Sequence, residues 1–92
     1  MIKESQVGFD TIQKEIINYV MKNYPSEYQV DTIPLDQSLL ELGVLDSFGV
    51  IELITFLENT WSITIDDSEI TKERMGSINK MCNVVLEKLG LE

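Results

Sequence analysis

The sequence predicts an all-α fold, a small four-helix bundle with three long helices, one short helix and a long loop between the first two. Apolar residues recur three or four apart in separate stretches, the period of a helix with one buried face. Polar residues that can accept hydrogen bonds from free backbone N–H groups, Asp46, Asp66 and Ser77, stand where the later stretches begin. No alternating strand pattern exceeds Ile63-Thr64-Ile65, which is too short to found a sheet.

The first helix is expected from Phe9 to Tyr24, where Phe9, Ile12, Ile16, Val20 and Tyr24 keep the helical period. Pro25 follows and stops it. The stretch to Pro34 has few apolar residues and no period, so a long connection begins there. Leu35, Leu39, Leu40, Leu42 and Leu45 in its second half predict that it is pinned onto the core, with a short helical turn after Ser38.

The second helix is expected to open at Asp46-Ser47, where the Asp46 carboxylate accepts a first-turn N–H. Its core stripe is Val50, Leu53, Ile54, Leu57 and Trp61, and the adjoining face mixes apolar and acidic groups. Asp66 stands three residues before Glu69 as in a capping box, which predicts a short third helix over Asp66 to Ile70. The last helix opens near Ser77, carries Ile78, Met81, Cys82, Val85 and Leu89, and ends at Gly90, where a left-handed cap is easy.

The 92 residues read as a single domain, 1–92. A formal net charge of −9 repels a phosphate backbone and argues against nucleic acid as a partner. No stretch approaches the roughly 20 apolar residues needed to span a bilayer. Met1 to Gln6 lack the basic start and apolar run of a secretory signal, which predicts a cytoplasmic protein. With one cysteine, Cys82, and no histidine, the chain offers neither a disulfide nor a Ser-His-Asp or Cys-His arrangement. A non-catalytic role is expected, with no metal site, because Asp66-Asp67-Ser68-Glu69 lacks the alternating ligands of a calcium loop. The acidity is concentrated: no lysine or arginine lies between Lys22 and Lys72, whereas ten carboxylates do.

Leu42-Gly43-Val44-Leu45-Asp46-Ser47-Phe48, set between a long loop and an amphipathic helix, resembles the modification site of the acyl carrier protein family. The resemblance extends over nearly the whole chain: the first helix, the loop with Ser38-Leu39-Leu40-Glu41-Leu42-Gly43, Glu52-Leu53, Leu57-Glu58 and the Asp66-Asp67 connection. It implies the acyl-carrier type of four-helix bundle. It further implies that a separate phosphopantetheinyl transferase joins 4'-phosphopantetheine to Ser47, beside Asp46, and that the arm's thiol holds an acyl thioester, as in fatty acid biosynthesis and lipid metabolism. Phe48, Ile51, Glu52, Thr55 and Glu58 then correspond to the helix face that docks partner enzymes, with the protein a monomer that visits its loading ligase or synthase.

Fatty-acid carriers commonly have leucine after the serine and a polar residue next, where this chain has Phe48 and Gly49. Glycine at that place resembles stand-alone carriers charged by adenylating ligases, the D-alanyl carrier proteins among them, so acyl and aminoacyl cargo both stay open. Asp46-Ser47 also reads as an ordinary helix start, in which case the chain is an unmodified acidic helical adaptor for a basic protein.

Overall fold

The computed structural model describes residues 8–24 and 26–90. The described residues form four α-helices: α1 (Phe9–Asn23), α2 (Ser47–Trp61), α3 (Lys72–Met75) and α4 (Ile78–Leu89), with a 3₁₀ turn at Asp67–Glu69. Three are long and one is short, and a long loop joins α1 to α2, as in acyl-carrier bundles. The N-terminal six residues and Pro25, read above for targeting and for the end of the first helix, lie outside the described residues.

α1 buries Ile12, Ile16, Ile17 and Val20 against α4, whose buried face is Ile78, Met81, Cys82, Val84 and Val85. α2 adds Leu53, Ile54 and Leu57. Several of these, Ile12, Ile16, Val20, Leu53, Leu57, Ile78 and Val85, have no exposed surface. Burial of each such side chain contributes roughly 1.5–3 kcal/mol, which makes this stripe-on-stripe packing the main source of cohesion. Val50 and Trp61, expected in the α2 core stripe, are only half-buried: Val50 lines a groove, and Trp61 packs edge-on against Phe56 with ring centroids 6.2 Å apart.

The long loop is held to the core as its leucines predict, although unequally. Leu39 and Leu45 are buried, joined by Ile33 and Val44, while Leu40 is 50% exposed. Ser38 opens a helical turn by accepting the Glu41 N–H at 3.2 Å, and Gly43, at φ +75°, closes it in a conformation that only glycine adopts without strain. Asn79 of α4 fixes the loop from below: its N–H donates to the Leu35 carbonyl at 2.9 Å and its side-chain amide to Asp36 at 2.8 Å.

The third helix is displaced from its expected place. The Asp66 N–H does donate to the Glu69 carboxylate at 3.1 Å, but that start yields only the 3₁₀ turn. Ile70, at φ −87° and ψ 71°, breaks the chain direction, and Thr71 recaps it by accepting the Arg74 N–H at 3.2 Å, so the short α-helix is Lys72–Met75. One turn with one buried residue, Met75, leaves no period to read in the sequence. Ser77 caps α4 through the Lys80 N–H at 3.2 Å, and Gly90 ends it at φ +72°.

Candidate functional site

Ser47 is the first residue of α2 and is exposed. Two local features put it there. Asp46 adopts extended backbone and its Oδ1 accepts the Gly49 N–H at 2.8 Å, which fixes the start of the helix one residue earlier. Leu45, on the other side, is buried and anchors the approach. The Asp46 carboxylate is therefore committed to the helix cap. No described residue hydrogen-bonds the Ser47 hydroxyl, which stands at the positive end of the α2 dipole.

A groove of about 360 Å³ opens beside Ser47. The loop contributes Leu40, α2 contributes Val50 and Ile51, and the segment from Ile70 to Met75 forms the opposite wall. Its lining is mainly apolar, with a Lys72–Glu41 ion pair at one side. The hydrogen bond to Glu41 holds the Lys72 ammonium above the usual lysine range.

The sequence-predicted docking residues lie on α2 but do not share one environment. Phe48 and Ile51 are 74% and 53% exposed, unusual for side chains of that size. Glu52 and Thr55 are exposed as well, Thr55 donating to the Ile51 carbonyl at 3.0 Å. Glu58 is half-buried and accepts the Ile65 N–H at 2.9 Å, so its carboxylate is occupied in anchoring the connection after α2.

Sequence reasoning missed three residues of this region. Leu40 was assigned to the core, yet it lies exposed on the groove wall. Lys72 appeared only as the end of the acidic segment. Tyr24, from the end of α1, donates its hydroxyl to Glu52 Oε1 at 2.6 Å. Burial and the hydrogen bond to Glu52 raise its phenol well above the usual range. Its position at the helical period was a signal for burial, and nothing in the sequence pairs it with a residue 28 positions away.

An exposed hydroxyl at a helix N-terminus is a ready acceptor of a phosphoryl-linked group, since the product's charge faces backbone N–H groups and the helix dipole. The adjacent apolar groove offers space for an attached chain, so the residues present fit 4'-phosphopantetheine on Ser47. Cys82 does not compete as a nucleophile: it is fully buried, and burial pushes its thiol up to about 12.

Comparison with known proteins gives two results. Residues 26–85 match the family described as "Phosphopantetheine attachment site". Over 53 residues, 58% of this chain and 67% of the relative, the chain is 43% identical to a D-alanyl carrier protein of Streptococcus suis (strain 98HAH33). It is 40% identical to the D-alanyl carrier protein of Streptococcus mutans serotype c over the same shares of each chain.

Proposed function

The chain belongs to the phosphopantetheine-attachment family of non-catalytic carrier proteins, and from that premise we propose that Ser47 bears the arm and that the cargo is an amino acid carried as its thioester. The observation that carries the reading is the exposed Ser47 hydroxyl at the start of α2, which no described residue hydrogen-bonds, inside the matched segment 26–85. When attached, 4'-phosphopantetheine supplies a terminal thiol on a long arm.

The chain's own part in attachment is to present the nucleophile. The Ser47 oxygen forms the new bond to the phosphorus of coenzyme A that carries the pantetheine moiety, and adenosine 3',5'-bisphosphate leaves. Asp46 is turned to the Gly49 N–H, so the serine proton passes to a base on the transferase, which also holds the metal ion. Ser47 is substrate and the domain catalyses nothing.

The amino-acid cargo is supported by the relatives named D-alanyl carrier protein and by Gly49, the departure from fatty-acid carriers noted above. An adenylating ligase that consumes ATP is the matching loading enzyme. Phe48, Ile51, Glu52 and Thr55 form the face that meets it and the transferase, while Glu58 is turned to the Ile65 N–H. Dependence on coenzyme A and ATP fits a cytoplasmic site of action.

The test is intact-protein mass after incubation with coenzyme A, magnesium and a broad-specificity phosphopantetheinyl transferase. The wild type is expected to gain one phosphopantetheine and Ser47→Ala none, while both unfold at the same temperature. A folded wild type that gains nothing with several active transferases is an unmodified acidic adaptor instead.

A further inference from the structure

Tyr24 belongs to α1's end, yet its side chain terminates on the docking face of α2. Its hydroxyl donates to Glu52 Oε1 at 2.6 Å and lies 3.5 Å from the Gly49 carbonyl. The ring reaches this place because Gly49 has no side chain: a Cβ there would stand 3.2 Å from Tyr24 Cε1 and 3.3 Å from Leu45 Cδ2, closer than ordinary van der Waals contact. Behind it Tyr19 meets the Tyr24 ring edge-on, with centroids 6.0 Å apart, and Tyr19 stacks on Phe56 of α2 at 4.2 Å. The Tyr24 N–H is itself tied to the Val20 carbonyl at 2.9 Å. The hydroxyl is thus a rigid donor, fixed by two helices.

We propose that Tyr24 is a positioning residue for carrier recognition: it fixes the Glu52 carboxylate in one direction on the helix that Ser47 opens, so that a cationic side chain of the transferase meets an already oriented partner. An exposed glutamate without such a tether samples several rotamers, and binding must then order it. Glu58, the other carboxylate expected on this face, is turned inward to the Ile65 N–H, which leaves Glu52 as the outward acid whose direction another helix sets. The inference rests on the assignment of Ser47 as the attachment site.

Steady-state kinetics of the phosphopantetheinyl transferase on the unmodified protein, for wild type, Tyr24→Phe, Glu52→Gln and the double variant, test it together with thermal unfolding of each. Tyr24→Phe keeps the ring and removes only the donor. It is expected to raise KM on the order of threefold with kcat unchanged, and the double variant is expected to be no worse than Glu52→Gln alone, because the effect of Tyr24 runs through Glu52. Effects that multiply in the double variant overturn the proposal, as does an unchanged KM in either single variant. A lower unfolding temperature for Tyr24→Phe with KM unaltered reduces Tyr24 to packing. Wild type that acquires no phosphopantetheine removes the Ser47 assignment and the proposal with it, whereas normal modification with an unmoved KM removes the role of Tyr24 alone.

Discussion

Asp46 and Ser47 divide two tasks that a reader of the sequence sees as one motif. Asp46 spends its carboxylate on the Gly49 N–H at 2.8 Å, satisfying a donor that the helix itself leaves free. Ser47 spends its hydroxyl on nothing within the described residues, so it stays available. Asp46→Ala is therefore expected to lower folding stability by about 1 kcal/mol, read as an earlier unfolding transition in urea. Asp46→Asn keeps an acceptor at the cap and is expected to retain most of that stability, which separates the cap from the charge. The cap at Asp46 was legible in the sequence because it acts within three residues of itself. Tyr24 was not, since its partner Glu52 lies on another helix and no local pattern connects them.

At the level of elements, the segment that walls the groove opposite α2 is tied to α4 by charge. Glu69 of the 3₁₀ turn accepts from Lys88 at 2.6 Å and from Arg74 at 3.3 Å, and Arg74 also reaches Glu87 at 3.0 Å. The Lys88 hydrogen bond, with the Asp66 N–H next, holds the Glu69 carboxyl below the ordinary glutamate value. A group whose pKa falls on folding binds its proton more readily in the unfolded chain. Its contribution is complete at neutral pH, begins to fade near the ordinary glutamate value, and is gone once the pH has dropped through the lower folded-state value. Glu69→Gln is expected to unfold in less urea than wild type at pH 7, with the gap narrowing as the pH falls below the ordinary glutamate value and the wild-type carboxyl protonates. A constant gap across that range contradicts a role for the charge. The element itself was misplaced in the sequence reading by a few residues: the capping pair Asp66 and Glu69 was visible, but Ile70 and Thr71 restart the chain after a single 3₁₀ turn.

For the whole molecule, ten carboxylates without a cation between Lys22 and Lys72 give the α2 half a field of one sign, under a net charge of −9. Such a field accelerates encounter with a basic partner and is screened as the Debye length shrinks with salt. Stopped-flow association with the transferase is expected to slow on the order of tenfold from low to moderately high ionic strength. A rate that does not fall removes the steering. Leu40 also belongs to this scale: its spacing among other leucines says core, and only the packing of loop on helices leaves it half exposed on the groove.

The sequence by itself determined the helical class, the three long helices and the cap at Asp46, because each follows from interactions within a turn or two of chain, and its likeness to a carrier motif singled out Ser47 as the proposed attachment residue. It also determined the charge asymmetry, which is a matter of counting. The tertiary structure alone decided which carboxylates face outward, Glu52 held by Tyr24 and Glu58 turned to Ile65. It alone decided where the short helix lies and that a groove opens beside Ser47. Those features arise where segments far apart in sequence come into contact, and the periodicity of any one helix carries no record of what packs across from it.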